Sequence, residues 1–328
     1  MKKKTNLNDI FKIIKENDSF LITAHVSPDG DAIGSEIALY IILKKLKKKA
    51  AIVNQDKIPK IYKFLTGSDN LSYYFRKNDI DLNFIDVIIA LDSSNAKRIG
   101  ELYKQIDTKK TIINIDHHCS NEIYGTYNYI DTLASSTGEI IYDLIECIDL
   151  DLLDKDIATC LFVAIMTDTG SFRYSNTSEK TFRIASKLMS TGINPHIISN
   201  NVYNQKTYSE LILLGEVLLT LETNDSNYVS WVTVSRDMLE RSNAIDENTE
   251  GIIDVVTSLE NTEISILFRE TVDNNVKVSF RSKGNFDVNN FALKFNGGGH
   301  PNAAGCMCKG KIKNIKNKIL SELFEKLK

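Results

Sequence analysis

Cysteine is scarce in this chain and odd in number, five in 328 residues. None of the five has the paired spacing of a metal knuckle, so neither a disulfide framework nor a zinc ribbon is expected, and a reducing cytoplasm fits best. Cys306 and Cys308 flank a single residue, which alternation along a strand explains without a metal. Prolines are few, four in all, and the composition is that of an ordinary folded protein, 42% apolar and 25% charged. Excess positive charge is also missing. A net charge of -3 argues against a protein that wraps long duplex nucleic acid, which needs a basic face, but leaves short or mononucleotide substrates open. No apolar run approaches the length of a membrane-spanning helix, so no membrane partner is expected. Met1-Lys2-Lys3-Lys4 looks like the basic start of a signal peptide, yet the apolar block that should follow is absent. Ile10, Phe11, Ile13 and Ile14 recur at helical spacing among charged residues and predict a surface helix instead.

The length points to two domains. Short apolar strands are predicted at Phe20 to Ala24, Ala51 to Val53, Val87 to Leu91 and Thr111 to Ile115, with a long helix over Ala32 to Lys48. Continuous apolar strands alternating with helices mean an α/β fold with a parallel sheet covered by helices on both faces. Further helices are expected at about Ser136 to Ile148, Asp154 to Thr167, Ser178 to Ser190 and Tyr208 to Leu221. The polar stretch Glu222 to Asn227 reads as a linker. Beyond it, strands at Tyr228 to Val234, Glu263 to Phe268 and Val276 to Arg281 and helices near Glu250 to Leu259, Val288 to Lys294 and Ile315 to Leu327 describe a smaller mixed α/β domain. The division expected is residues 1–190 for the first domain, 191–227 for a helical linker and 228–328 for the second. Lys44 to Lys49 and Lys309 to Lys318 are lysine-rich runs, better read as solvated helix ends than as RNA contacts.

In parallel sheets ligands bind beyond the carboxyl ends of the strands, and there the sequence concentrates its metal-binding side chains. His25, Asp29 and Asp31 follow the first strand in a loop tightened by Pro28 and Gly30. Asp92 ends Val87-Ile88-Ile89-Ala90-Leu91, and Asp116-His117-His118 ends Thr111 to Ile115. Asp168 closes an apolar helix. Each piece alone has a plain structural reading, as an Asp-rich turn, a helix cap or a helix-end aspartate. Together they describe one dinuclear centre, the usual engine for cutting phosphate esters. Four aspartates, Asp29, Asp31, Asp92 and Asp168, balance two divalent cations, and His25 and His117 add neutral imidazoles. Imidazole and carboxylate without thiolate favour Mn²⁺ over Co²⁺, Fe²⁺ or Mg²⁺. In the second domain Asn296-Gly297-Gly298-Gly299-His300 exposes successive backbone N–H groups, and Arg281 ends a strand just before it.

These elements, in this order, resemble the DHH phosphoesterase superfamily, and the glycine-histidine element resembles the DHH-associated C-terminal domain of its nanoRNase and exonuclease branch. The resemblance spans nearly the whole chain. It implies that His25, Asp29 and Asp92 hold one Mn²⁺ and that Asp31, Asp92, His117 and Asp168 hold the other, with Asp92 bridging. It further implies that Asp116 orients a ligand, that His118 touches the scissile phosphate, and that Arg281, Ser282, Gly297, Gly298, Gly299 and His300 bind substrate. Asn296 departs from the pattern, standing where many relatives have a fourth glycine. The implied activity is a cytoplasmic, Mn²⁺-dependent oligoribonuclease that shortens very small single-stranded RNAs and dephosphorylates 3′-phosphoadenosine-5′-phosphate (pAp). The same chemistry on cyclic-di-AMP or its linear product pApA is the nearest alternative, and a non-catalytic nucleotide sensor a more distant one. A homodimer is compatible with the resemblance.

Overall fold

The computed structural model describes residues 3–73, 82–106 and 110–327. The chain divides into two compact units, Met1–Gln205 and Lys206–Lys328.

In the first unit, strands β1 (Lys3–Lys4), β2 (Ser19–Thr23), β3 (Lys49–Asn54), β4 (Leu71–Tyr73), β5 (Val87–Leu91), β6 (Thr111–Asp116) and β7 (Tyr127–Ile130) form one sheet in the order β1-β7-β6-β5-β2-β3-β4. Every pairing in it is parallel. The helices are α1 (Leu7–Glu16), α2 (Gly30–Lys45), α3 (Glu101–Gln105), α4 (Thr137–Ile148), α5 (Lys155–Asp168), α6 (Glu179–Met189) and α7 (Pro195–Tyr203). The four strands expected from the sequence fall at β2, β3, β5 and β6, within two residues at either end.

Strand alternation sends side chains to two separate cores. Phe20, Ile22, Val87, Ile89, Leu91, Ile113 and Ile115 pack with α1, α2, α4 and α5 on one face. Leu21, Ile88, Ala90 and Ile112 pack on the other face with Ile99, Leu102 and Ile106. Both faces are covered as expected, but unequally: among the described residues the second face carries α3 and two short 3₁₀ turns, Leu82–Phe84 and Ala96–Ile99. On the heavier face α2, α4 and α5 approach closely because two glycines allow it. A Cβ on Gly34 would lie 2.4 Å from the Cys160 carbonyl, and one on Gly138 would lie 2.5 Å from Ala164 Cβ. This close approach brings the N-terminus of α4 beside that of α2.

The second unit contains α8 (Tyr208–Leu218), β8 (Glu222–Thr223), β9 (Val229–Val234), α9 (Arg236–Arg241), α10 (Ile252–Thr257), β10 (Ile264–Glu270), β11 (Asn275–Ser282), α11 (Val288–Leu293), β12 (Gly298–His300), β13 (Ala303–Lys309) and α12 (Ile312–Lys326). Its sheet runs β12-β13-β11-β10-β9-β8, mixed because β9 and β10 pair in parallel while the rest are antiparallel. Val229, Ile266, Phe268, Val278 and Phe280 pack under α11 and α12. Val232, Val234 and Leu267 face α8, α9 and α10. The polar stretch 222–227 carries β8 and the turn into β9, where the Asn224 side chain accepts from the Val229 N–H at 2.9 Å.

The glycine segment is not the open loop that its composition suggests. Gly298, Gly299 and His300 form β12, paired with Gly305, Ala304 and Ala303. The glycines are there because the strands lie close. A Cβ on Gly297 would meet the Gly305 carbonyl at 2.2 Å, and one on Gly299 the Ala303 carbonyl at 2.3 Å. Part of the backbone expected to cradle a ligand is therefore used in a ladder. Among the described residues no helix is long and apolar enough to cross a membrane.

Candidate metal centre

The sheet delivers the expected ligands in register. β2, β5 and β6 are adjacent, and His25, Asp92 and Asp116 stand at or just past their carboxyl ends. Asp92 turns sharply off its strand with φ 50°. A left-handed conformation is uncommon for a residue other than glycine, and such strain clusters at functional positions. Here it is held by the hydrogen bond from the Asp92 N–H to the Ile115 carbonyl at 3.0 Å.

Three overlapping groups of donors result, each with its ligand atoms within 4.8 Å of one another: His25, Asp29 and Asp92; Asp31, His117 and Asp168; and Asp92, Asp116, His117 and His118. His25 Nε2 lies 3.3 Å from Asp92 Oδ2 and 3.8 Å from Asp29 Oδ2. His117 Nε2 lies 3.8 Å from Asp31 Oδ2, 3.6 Å from Asp92 Oδ1 and 3.5 Å from Asp168 Oδ2. All six residues expected as ligands therefore come together, and Asp92 faces both imidazoles with different oxygens. The third group also puts Asp116 and His118 within ligand distance of Asp92.

The surroundings aim these side chains. Asp31 is fully enclosed and accepts from the Thr137 N–H at 2.6 Å and the Gly138 N–H at 2.8 Å, both at the N-terminus of α4. Asp29 caps α2, accepting from the N–H groups of Asp31 and Ala32 with Oδ1, which leaves Oδ2 toward His25. The His25 Nδ1–H meets the Val26 carbonyl at 2.8 Å, which directs Nε2 into the cluster. Asp116 has its oxygens occupied by protein donors: the N–H of His117 at 2.8 Å, His118 Nδ1 at 2.6 Å and Asn121 Nδ2 at 2.6 Å. Asn176 Nδ2 steadies Asp168 through its carbonyl at 3.1 Å. Thr137, Gly138, Asn121 and Asn176 were not singled out from the sequence. The small pair Thr137-Gly138 after the cap Ser136 was the one local signal, and nothing in the sequence links it to Asp31, 106 residues away.

The electrostatics show how much negative charge is gathered. Among the described residues no lysine or arginine forms an ion pair with these carboxylates; their partners are histidines. Burial, then the neighbouring Asp92, Asp168 and Asp29, pushes the Asp31 carboxyl far above its usual range. Burial, Asp92 and Asp29 push Asp168 up to about 7. Burial would lower His25, but Asp29 and Asp92 outweigh it and hold the ring up to about 11. Against burial, the imidazoles of His25, His118 and His117 hold Asp92 well below the usual carboxylate range. Such a set of oxygen and imidazole donors, enclosed and short of cationic side chains, fits hard or borderline divalent cations.

Two family models match the chain, "DHH family, N-terminal domain" over residues 19–165 and "DHHA1 domain" over residues 229–328. The bifunctional oligoribonuclease and PAP phosphatase NrnA of Thermus thermophilus is 32% identical over 290 residues, covering 88% of this chain and 84% of that protein. The chain belongs to the DHH family. A probable bifunctional oligoribonuclease and PAP phosphatase NrnA of Streptococcus mutans is 31% identical over 302 residues, covering 92% of this DHH chain and 93% of its own. The crystal structure of an exopolyphosphatase-related protein from Bacteroides fragilis superposes on it with a TM-score of 0.93 at 31% identity, covering 98% and 95% of the two chains. The DHH membership makes this protein a phosphoesterase of a metal-dependent family, and the centre described above lies where its DHH domain model matches or, for Asp168, three residues beyond.

In the DHHA1 unit, Arg281 and Ser282 end β11. Arg281 pairs in register with Ala303, and Ala303 with His300, so the three backbones lie in one row across β11, β13 and β12. The His300 side chain lies outside the described residues. Arg281 Nε donates to Asp254 at 3.2 Å, and Ser282 hydrogen-bonds through its N–H to the Asn302 carbonyl at 3.0 Å. Asn296 has φ 56°, the left-handed conformation that glycine or asparagine adopts most readily. Asparagine therefore supplies backbone geometry that a glycine at this position would.

Proposed function

We propose that this protein is a Mn²⁺-dependent phosphodiesterase and phosphatase that degrades very short RNA oligonucleotides to mononucleotides and removes the 3′-phosphate from pAp. The observation that carries this reading is Asp92, whose two oxygens face His25 on one side and His117 on the other. One carboxylate between two donor groups is the arrangement that holds a pair of cations. His25, Asp29 and Asp92 would hold one, and Asp31, Asp92, His117 and Asp168 the other. When bound, such cations lower the pKa of water and withdraw charge from phosphoryl oxygens. The remaining work falls to the chain. Thr137 and Gly138 fix Asp31. Asp116 orients His118 through Nδ1, and His118 Nε2 is assigned to the scissile phosphate, where a fixed donor is worth most as charge develops. Arg281, Ser282, Gly297, Gly298, Gly299 and His300 are assigned to the substrate's phosphate and base. The names of the relatives from Thermus thermophilus and Streptococcus mutans support the substrate class.

The test is one assay in metal-defined buffer, with product identification, on an RNA pentamer, pAp, pApA and cyclic-di-AMP. Rapid loss of the pentamer and pAp with Mn²⁺, and none with chelator, is expected. Turnover confined to pApA or cyclic-di-AMP would reassign the substrate to second-messenger nucleotides, and binding without product would make the protein a nucleotide sensor.

A further inference from the structure

Cys306 and Cys308 lie two residues apart on β13, so alternation turns both side chains to the same face of the sheet. Their sulfurs are 3.8 Å apart, and neither is in a disulfide. They are not equivalent. Cys306 is buried among the core residues of the DHHA1 unit, and burial followed by the adjacent Cys308 pushes its thiol up to about 12. Cys308 is only half-buried and lines a cavity of about 390 Å³. That cavity is walled by Lys294, Lys309 and Lys318, none of which forms an ion pair among the described residues, and by Phe295 and Ile315. It sits at the Lys309 end of β13, away from the row of Arg281, Ala303 and His300 at the other end. Lysines lining the cavity that Cys308 opens into favour the approach of an anionic reagent.

We propose that Cys306 and Cys308 are a redox-active dithiol that closes to a disulfide by exchange with an anionic low-molecular-weight disulfide of the glutathione class. The Cys308 thiolate attacks one sulfur of the reagent, forming a mixed disulfide and releasing one thiolate. Cys306 then attacks Cys308 Sγ, forming the intrachain bond and releasing the second. The two protons from the cysteines end on the two released thiols, so the protein is oxidised by two electrons and the reagent reduced by two. Two residues of extended chain rise about 6.8 Å, at the upper edge of the Cα separations a disulfide spans. The bond is therefore strained and readily reduced, which suits a reversible switch better than a structural staple. Gly297, which leads into β12, packs directly on Cys306, since a Cβ on it would lie only 2.6 Å from Cys306 Cβ, and movement of Cys306 on closure is passed to the glycine strand. On the function proposed above, and resting on it, this displacement of the glycine strand weakens substrate binding.

The full-length protein is reduced, freed of reductant and treated with glutathione disulfide. The peptide containing residues 303–309 is then weighed, and KM for pAp is measured before and after. Loss of two hydrogen masses from that peptide, reversed by dithiothreitol, with a several-fold rise in KM that reverses with it, is expected. Cys306→Ser is expected to keep a glutathionyl adduct on Cys308. Cys308→Ser, at the less buried position, is expected to be inert, and Lys318→Ala to react several-fold more slowly. A lasting adduct on Cys308 in the wild-type protein, or no reaction of the folded protein, would overturn the dithiol. A disulfide that forms with KM unchanged would overturn its link to substrate. Should the reduced protein turn over no pAp, the functional reading fails while the mass measurement still decides the dithiol.

Discussion

Asp168→Asn separates the chemistry of the centre from its structural cost. Asp168 ends α5, where a carboxylate opposes the partial negative charge of the helix C-terminus. Burial, with Asp92 and Asp29, raises its carboxyl from 3.8 to about 7 despite the nearby His117. In the unfolded chain the same group ionises near its ordinary value. Between the two values the unfolded state has released its proton and the folded state has kept it. Stability therefore falls as pH rises through this window, and the loss is complete above about pH 7. At about 1.4 kcal/mol per pKa unit the full shift amounts to about 4 kcal/mol. The side chain is 28% exposed, and solvent screening trims the figure to about 2 kcal/mol. Asparagine does not titrate. Without metal, Asp168→Asn should resist urea better than wild type by about 2 kcal/mol at pH 8 and match it at pH 4. With metal the order reverses. Mn²⁺ at a hundredfold excess over its dissociation constant stabilises wild type by about 2.7 kcal/mol, and the variant far less. The variant's kcat/KM should fall by at least about a hundredfold. Urea denaturation at the two pH values, with chelator and with Mn²⁺, reads all of this. A variant less stable than wild type at pH 8 in chelator, or one that keeps its Mn²⁺ stabilisation, would refute the assignment.

Asp92→Ala should abolish turnover while circular dichroism stays native, and near-wild-type rates in metal-defined buffer would sink the proposed bridging role. Arg281→Ala should raise KM for pAp several-fold with kcat little changed. Its stability should stay within about 1 kcal/mol of wild type, because the exposed pair with Asp254 contributes little; an unchanged KM would remove Arg281 from the substrate site. Glu36 is buried, and burial raises its carboxyl to about 8 despite the hydrogen bond from Asn54. Metal-free wild type should lose stability from about pH 4.5 to 8 for this reason. Glu36→Gln should flatten that part of a melting-temperature profile, and parallel profiles would show that Glu36 does not titrate in this window. Gly138→Ala places a methyl 2.5 Å from Ala164 Cβ. It should cost about 1–3 kcal/mol and weaken Mn²⁺ binding measured by calorimetry, since the Gly138 N–H holds Asp31; unaltered metal affinity would detach α4 from the centre.

Much of this protein is determined by local sequence. The apolar run at 87–91 and the mostly apolar run at 111–115 became β5 and β6 because a strand buried on both faces is mostly apolar, and Asp92 and Asp116 mark their carboxyl ends. Asp154 and Ser178 act as the helix caps their positions suggest. The six expected ligands stand out in the sequence because each follows a strand or ends a helix at the sheet edge where ligands gather. What holds those ligands was decided only by tertiary structure. Asp31 depends on N–H groups more than a hundred residues away, and β7, with its half-exposed Tyr127 and Tyr129, has no apolar run to announce it. A tight hairpin with the next strand turned the glycine segment into an edge strand. Glycine composition records that a backbone must come close, but not that the neighbour is β13 rather than a ligand. The two sulfurs 3.8 Å apart follow from strand alternation, legible in Cys306-Met307-Cys308, whereas the lysines that line the cavity beside Cys308 come from the end of α11, from β13 and from α12, and share that cavity only when the sheet and helices pack.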